Sequence, residues 1–184
     1  MAEHRRDLLA HARGTVVEIG AGTGLNLPHY PPAVTEVVAT EPEPNMRRRL
    51  ERAASGAPVP VRIVDAPAER LPLPEASVDT VVSTGVLCSV QDPKAALAEA
   101  RRVLRPAGRL LLHEHVRAPE GTRLERRQDR WERAWGWFAG GCHPNRDSMA
   151  AVAAAGFVIE REKRFDFGPG LVKPHVMAVA RPTA

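Results

Sequence analysis

Short apolar runs alternate with helical stretches along this chain, and that alternation constrains its fold more than any other feature. Runs rich in β-branched residues predict five strands, and the periodicity between them predicts two helices. The strands are expected at residues 15–19, 36–40, 59–64, 78–84 and 109–113, and the helices at 45–54, capped by Asn45, and 92–104, capped by Asp92. Strand, helix and strand in repetition indicate a parallel sheet with right-handed crossovers. Because the strands are nearly all apolar, helices should cover both faces, as in a doubly wound α/β fold.

The C-terminal part of the chain predicts a different arrangement. A helix at 146–155 ends at Gly156, and two strands at 157–167 and 175–180 are joined through residues 168–170. Two strands joined by such a turn indicate an antiparallel hairpin, which we expect at the edge of the sheet. The 184 residues contain no internal repeat or linker, so the prediction is a single domain spanning residues 1–184.

The charge and the cysteine content of the chain indicate which binding partners and which cellular compartment to expect. The net charge is +4, and only three of the 26 basic residues are lysines (Lys94, Lys163 and Lys173). Because the arginines are scattered, we interpret their abundance as a general compositional bias of the sequence and expect no nucleic-acid partner. Two cysteines outside any CxxC motif, with no histidine cluster at metal spacing, predict a reducing compartment and no metal site. With no apolar run of roughly 18 residues and no secretory signal, the chain is predicted to be cytoplasmic.

A glycine-rich turn follows the first predicted strand, in the sequence Glu18-Ile-Gly20-Ala21-Gly22-Thr-Gly24. It precedes a helix-compatible stretch, and its glycines let a ligand approach the backbone closely. A dinucleotide site would need the spacing G-x-G-x-x-G, so that pyrophosphate rests on a helix N-terminus, whereas the spacing here is G-x-G-x-G. The carboxylate of Glu18 would also repel a pyrophosphate. It suits a ligand that carries an ammonium group and no phosphate, such as S-adenosylmethionine (SAM).

A second acid stands at the end of the second predicted strand. Glu41 follows that strand directly, where a carboxylate can accept hydrogen bonds from both hydroxyls of a ribose. The first acid, the glycines and Glu41 in register together predict a SAM site at the carboxyl ends of the strands. The alternative is that the glycines only form a turn and that Glu41 is a solvated surface acid.

The chain from about Gly14 to Ala180 resembles the class I SAM-dependent methyltransferases, whose sheet is Rossmann-like. Residues 16–24 look like the family's first motif, Glu41-Pro42 like its second, and residues 68–72 with 77–79 like its third. Residues 83–85 fall where the fourth strand opens toward the methionine part of SAM. The resemblance implies SAM as cofactor, with the ribose on Glu41 and the adenine against Ala68 and Glu69. The implied cofactor-binding residues are Glu18, Gly20, Ala21, Gly22, Gly24, Glu41, Pro42, Ala68, Glu69, Thr84 and Gly85.

A narrower resemblance is to the small thiol S-methyltransferases, relatives of the microsomal alkyl-thiol methyltransferases. It is carried by the segments 86–90 (VLCSV), 114–116 (EHV), 141–143 (GCH) and 173–175 (KPH). It implies methyl transfer to a small-molecule acceptor, a thiol, by a soluble version of proteins that are often anchored by an N-terminal hydrophobic segment. Methylation of another small molecule at O, N or C, and SAM binding without turnover, remain as alternatives. A nucleobase amino-methyltransferase does not fit, because residues 83–86 lack the Asn/Asp-Pro-Pro-aromatic motif of that group.

A thiol acceptor reacts as the thiolate, so a base is expected near the acceptor. His115 lies just past the fifth predicted strand at the ligand-facing end, and the unperturbed pKa of a histidine, ~6.5, suits a general base. The alternative for His115 is a hydrogen bond to a loop carbonyl. His143 and His175 are further candidates for the base.

The two cysteines are interpreted without a catalytic role. Cys88 follows the fourth predicted strand, near where the acceptor should enter, and is expected to be a small buried apolar residue. Cys142 stands next to His143, but adjacent residues rarely face each other, which speaks against a catalytic pair.

An arginine-rich stretch within residues 118–142 carries all three tryptophans of the chain. Its apolar residues form one helical stripe over 123–138. We predict a lid whose aromatic side chains line the acceptor pocket. The alternatives are an ordinary helix packed on the domain and a helix in weak contact with a membrane surface. The sequence does not fix the oligomeric state.

Overall fold

The computed structural model describes residues 1–168 and 170–183, so Pro169 of the predicted hairpin turn lies outside the described residues. Seven strands form one sheet: β1 (Gly14–Ile19), β2 (Val34–Thr40), β3 (Val61–Val64), β4 (Val78–Thr84), β5 (Leu104–His115), β6 (Phe157–Asp166) and β7 (Pro174–Pro182). Their order is β3-β2-β1-β4-β5-β7-β6. Strands β1 to β5 are parallel, and β7 runs antiparallel between β5 and β6. This confirms the predicted α/β sheet with an antiparallel hairpin at its edge.

Among the residues that the structure describes, five helices pack around the sheet: α1 (Ala2–Leu9), α2 (Pro44–Ala54), α3 (Pro93–Val103), α4 (Arg123–Phe138) and α5 (Ser148–Ala154). Asp92 caps α3 as predicted, since its side chain accepts from the amides of Lys94 and Ala95. The predicted cap of α2 is wrong by two residues. Glu43, not Asn45, accepts from the amides at the start of α2, with Pro44 at the first helical position.

Two predicted segments differ from the structure, the stretch after the glycine turn and the fifth strand. The stretch after Gly24 forms only a short 3-10 turn at Leu27–His29, because the prolines at 28, 31 and 32 cannot donate the hydrogen bonds of a longer helix. Strand β5 starts five residues earlier and ends two residues later than predicted. Its pairing with β4 jumps from Leu104 to Arg109, so residues 105–108 form an irregularity within the strand.

Side chains alternate across the sheet and divide the core into two layers. One layer lies under α3 and α5 and includes Val17 and Leu110. The other lies under α1 and α2 and includes Val16 and Leu111. Because residues two apart along a strand share a face, Glu18 lies on the α1 side with Val16, and His113 and His115 lie there with Leu111. Within the described residues, no helix combines the length and the apolar character that a bilayer span needs.

Candidate active site

The glycine turn lies at the carboxyl end of β1 and has the backbone of a ligand cradle. Gly20 and Gly22 have φ values of +57° and +58°, which only glycine adopts without strain. A Cβ at Gly20 would lie 2.8 Å from the side chain of Val86, so Gly20 permits close packing against the loop after β4. A Cβ at Gly22 would meet no described atom nearer than 4.0 Å. Gly22 therefore faces open space that a ligand can fill.

Glu41 is held beside this turn by backbone amides. The amide of Gly22 donates to its Oε2 at 2.8 Å, and the amide of Glu43 donates to its Oε1 at 2.9 Å. A carboxylate offers about four acceptor positions, so two remain for the hydroxyls of a ribose. The neighbouring backbone is also fixed, because the amide of Ala21 donates to the carbonyl of Thr40 at 2.8 Å. The predicted pairing of the glycine turn with Glu41 is thus present, and Pro42 follows it as an exposed residue.

Glu18 is buried and occupies a hydrogen-bond network rather than an open surface. Asn26 Nδ2 donates to its Oε1 at 2.8 Å, and the hydroxyl of Tyr30 donates to its Oε2 at 2.7 Å. Asn26 also donates to Thr84 Oγ1 at 2.9 Å and accepts from Arg5 of α1 at 2.8 Å. Burial raises the pKa of Glu18 to about 7, although the bonds from Tyr30 and Asn26 oppose that rise. Glu18 therefore joins the ends of β1 and β4 through Asn26.

The two residues predicted to flank the adenine are placed differently. Ala68 is packed in the core beside Leu71. Glu69 Oε1 accepts from the amides of Gln91 and Asp92, at 2.9 Å and 3.2 Å, and so is held at the start of α3. One oxygen of the Glu69 carboxylate thus joins the loop after β3 to the start of α3.

The residue that follows β3 directly lies nearer to Glu41 along the sheet edge. The amide of Glu41 donates to the carbonyl of Val64, the last residue of β3, at 3.1 Å. Asp65 comes next and forms an ion pair with Arg47 at 2.9 Å. Arg47 also donates to the carbonyl of Glu41 at 2.7 Å. Asp65 is therefore a candidate cofactor contact that the sequence prediction missed, although its position after an apolar run was a usable signal.

Gly85 follows β4 and leaves space on the same edge. Its φ is +71°, and a Cβ there would have no described atom within 4 Å. Its amide donates to the carbonyl of His113 at 2.8 Å, which fixes the loop after β4 against β5. Thr84 and Gly85 are thus brought to the same edge as the glycine turn, as predicted.

Two cysteines and a histidine meet beyond Gly85. His115 Nε2 lies 3.1 Å from Cys142 Sγ, and the ligand atoms of Cys88, His115 and Cys142 all lie within 4.8 Å of one another. All three residues are buried. The hydrogen bond from the Cys88 thiol lowers the pKa of Cys142, and the same contact with burial raises the pKa of Cys88. Cys88 is buried as predicted, but its Sγ also has polar neighbours, the carbonyl of Gly85 at 3.6 Å and Oγ of Ser89 at 3.4 Å.

The histidines proposed as further bases lie in other contacts. His143 pairs through Nδ1 with Glu132 of α4, so Cys142 and His143 do not form a pair with each other. His175 faces His115 across β5 and β7, and its ring is stacked with that of Phe165 at a centroid distance of 5.7 Å. Burial lowers the pKa of His175.

Glu114 points to the opposite face of β5 from His113 and His115, because side chains alternate along a strand. Its Oε1 accepts from Ser83 Oγ at 2.7 Å and from the amide of Val86 at 3.1 Å. Glu114 thus fixes the loop that carries Cys88. His113 lies on the α1 side, where burial lowers its pKa to about 3.

The first half of α4 packs beside the end of β5 and the start of β7. Gln128 is fully buried, accepts from the amide of Ala118 at 2.8 Å and donates to the carbonyl of Leu171 at 2.8 Å. A cleft of about 420 Å³ lies between the start of α4, the end of β5 and the β6–β7 hairpin. Of the aromatic residues on the predicted stripe, Trp131 and Phe138 are 52% and 80% exposed, so they do not line this cleft.

Comparison with known proteins places this geometry in a family. Residues 17–112 match the family model described as a methyltransferase domain. The chain is 35% identical to the thiol S-methyltransferase TMT1B of Homo sapiens, over 98% of this chain and 79% of that protein. It is 34% identical to the demethylmenaquinone methyltransferase of Deinococcus radiodurans, over 59% of this chain and 46% of that protein. A SAM-dependent methyltransferase from Aquifex aeolicus has the same fold, with a TM-score of 0.65 and 17% identity over 98% of this chain and 89% of that one.

Proposed function

Because this chain belongs to the class I methyltransferases that use SAM as methyl donor, we propose that it methylates the sulfur atom of a small thiol. The observation that carries the proposal is the extent of the similarity to the human thiol S-methyltransferase, which includes almost the whole chain. The general methyltransferase model stops at residue 112. His115, Cys142, α4 and the β6–β7 hairpin all lie after that point, on the acceptor side of the sheet.

The residues at the ends of β1 and β2 fit SAM. When bound, SAM supplies a methyl carbon on a sulfonium sulfur, which a thiolate attacks in line as the bond from carbon to sulfonium breaks. Glu41 retains acceptor positions for the ribose, and Gly22 leaves the space for it. Asp65 lies beside them at the end of β3. Glu18 is only 1% exposed and would act through Asn26, by holding Thr84 in place.

The acceptor side is formed by the loop after β4, the end of β5 and the cover provided by α4. A Cβ at Gly85 would meet no described atom within 4 Å, so this loop leaves room for a ligand beside it. His115, the predicted catalytic residue, lies there with Cys88 and Cys142 and shields the site from water with them. Excluding water and aligning the acceptor is the main contribution that a protein makes to such a displacement, and positioning can be worth roughly 7–11 kcal/mol.

The broader assignments follow from the same features. We propose that residues 1–184 act as one catalytic domain, because β7 and β6 from the C-terminal part extend the sheet that begins with β1. Two unpaired, buried cysteines suit a reducing compartment, which supports the proposed cytoplasmic location. The proposed partner is a small molecule, and neither a nucleic acid nor a second protein is required by the site.

The test is release of S-adenosylhomocysteine on incubation with SAM and a panel of small alkyl and aryl thiols. Matched alcohols and amines of the same carbon skeleton serve as controls, and mass spectrometry identifies the methylated product. We expect a methyl thioether with thiols and no product with the matched alcohols or amines. Product from an alcohol or amine alone would replace the proposal with O- or N-methylation. No product from any acceptor, with SAM bound, would indicate a SAM-binding protein without turnover.

A further inference from the structure

Three side chains of the kind that bind metal ions meet at the carboxyl ends of β4 and β5. Cys88 follows β4, His115 is the last residue of β5 and Cys142 follows α4. Each is more than nine-tenths buried, with 3%, 8% and 8% of its surface exposed. Their ligand atoms lie within 4.8 Å of one another, and Nε2 of His115 lies 3.1 Å from Sγ of Cys142.

The distances suit one tetrahedral ion. Thiolate sulfur and imidazole nitrogen are the ligands that Zn²⁺ prefers. With zinc bonds of about 2.3 Å to sulfur and about 2.0 Å to nitrogen, two sulfurs lie about 3.8 Å apart, and a sulfur and a nitrogen about 3.6 Å apart. Nε2 of His115 and Sγ of Cys142 lie about 0.5 Å closer than this sulfur–nitrogen value. The other two pairs of ligand atoms lie no more than 4.8 Å apart, so side-chain rotations would complete the geometry.

The charge of the ligands and the backbone contacts around them also favour Zn²⁺ at this site. Two thiolates and one Zn²⁺ sum to zero charge, so the ion would remove the cost of burying ionised sulfur. The amide of His143 donates to the carbonyl of Cys88 at 2.8 Å, which ties the two cysteine-bearing loops together. His115 is fixed by the pairing of β5 with β7. All three ligands are thus held by backbone before any ion binds.

We propose that Cys88, His115 and Cys142 bind one thiophilic divalent metal ion, Zn²⁺, with its fourth position open to the sulfur of the acceptor. Three protein ligands and one open position are typical of catalytic zinc sites. When the acceptor sulfur joins the ion, its S–H bond breaks, the proton passes to solvent water and the bound thiolate is the nucleophile. The role of the open position rests on the proposed function, whereas metal binding itself does not.

Metal binding is tested without SAM or acceptor, on protein stripped with a chelator and kept reduced with a phosphine. We expect Co²⁺ to give sulfur-to-metal charge-transfer bands and the visible bands of a four-coordinate site, saturating at one equivalent and displaced by Zn²⁺. Competition with a chromophoric chelator measures the Zn²⁺ affinity. Cys88→Ser, Cys142→Ser and His115→Asn should each lower it at least about tenfold. His143→Asn, in the same loop but paired with Glu132, is the matched control and should not.

Folding of each variant is checked by far-ultraviolet circular dichroism, and Zn²⁺ should raise the Tm of the wild-type protein more than that of the ligand variants. Wild-type protein without cobalt bands, or bands that persist in Cys142→Ser, would overturn the metal site. The open position is tested by adding a small alkane thiol to the cobalt protein. An increase in charge-transfer intensity supports it, and an unchanged spectrum overturns it.

Release of S-adenosylhomocysteine, measured in parallel, separates this inference from the proposed function. Undiminished release with thiols by the zinc-free protein would refute the role of the ion while leaving thiol methylation intact. Cobalt binding without methylation of any thiol would refute the proposed function while leaving the metal site.

Discussion

At the scale of single residues, Glu41 is important because its carboxylate can bind the backbone of the glycine turn and the ligand at the same time. It accepts from the amide of Gly22 at 2.8 Å and keeps acceptor positions free. In Glu41→Ala, the loss of two hydrogen bonds to ribose, at about 0.5–1.5 kcal/mol each, and the release of the turn should weaken SAM binding at least about tenfold. Isothermal titration calorimetry measures the change.

Glu43→Ala is the matched control for that variant. Glu43 stands two residues away and caps α2, with its carboxylate on the amides of Asn45 and Met46 at 3.0 Å and 2.7 Å. Its loss should lower the free energy of unfolding by about 0.5–2 kcal/mol and leave the Kd for SAM unchanged. Equal SAM affinities in Glu41→Ala and wild-type protein would refute the placement of the cofactor.

The environment of Glu18 predicts that the free energy of unfolding depends on pH. Its pKa is raised from a usual value of 4.5 to about 7, so between these values the folded chain holds a proton that the unfolded chain has lost. The folded state therefore loses stability as the pH rises through this window, by a total on the order of 3 kcal/mol. Glu18→Gln cannot titrate, yet its amide can accept from Asn26 and donate to the oxygen of Tyr30.

Urea denaturation of both proteins at several values between about pH 4.5 and pH 8 measures this effect. The free energy of unfolding of the wild-type protein relative to Glu18→Gln should fall as the pH rises to about 7 and then become constant. A difference that does not change with pH would show that Glu18 titrates normally in the folded chain.

At the scale of elements, Gln128 determines whether α4 stays on the sheet. It joins the helix to the backbone of residues 116, 118 and 171 by three hydrogen bonds. Gln128→Met keeps the size of the side chain but leaves those buried backbone groups unpaired, at about 1–3 kcal/mol each. Amide hydrogen exchange should therefore speed up across 123–138 and remain unchanged in β1 and β4.

The control for this variant is Arg130→Met, which removes a polar side chain from the exposed side of the same helix. It should leave the exchange of α4 as it is in the wild-type protein. Equal exchange rates in Gln128→Met and Arg130→Met would show that α4 is held by contacts other than Gln128.

Elements whose pattern is local were predictable, and contacts between distant segments were not. The apolar runs predicted all seven strands, and Asp92 was recognised as a cap because capping depends on the next three residues. The start of β5 was missed, since its pairing at Leu104 is set by β4 and not by local propensity. Helix α1 was not predicted, because its two buried leucines are too few for a periodic signal.

The residues of the candidate site were likewise predictable where the pattern is local and not where distant segments meet. Glu41 and the glycine turn were predictable because each directly follows a strand, and parallel strands bring their carboxyl ends together. The contact of His115 with Cys142 was not predictable, since the two residues are 27 positions apart and meet only through the path of α4. Glu69 was assigned from its motif, and only the structure shows that its carboxylate is used at the start of α3.

At the scale of the whole molecule, α1 joins the beginning of the chain to its end. Leu9 is fully buried in the layer that also contains Val16 of β1 and Val179 of β7. His4 stacks on Phe165 of β6 at a centroid distance of 4.2 Å. A chain whose two ends share one core layer should unfold in a single transition.

Leu9→Ala tests the single transition. Truncating a buried leucine costs about 2–5 kcal/mol of unfolding free energy, and in a single transition this loss should destabilise all elements together. All three tryptophans lie in α4, far along the chain from Leu9, so their fluorescence reports on that helix while far-ultraviolet circular dichroism reports on all elements. Both urea midpoints should coincide in the wild-type protein and fall together in Leu9→Ala. In Gln128→Met the fluorescence midpoint should fall further than the circular-dichroism midpoint, because only α4 has lost the hydrogen bonds that hold it to the sheet. A fluorescence midpoint unmoved by Leu9→Ala would show instead that α4 unfolds as an independent unit.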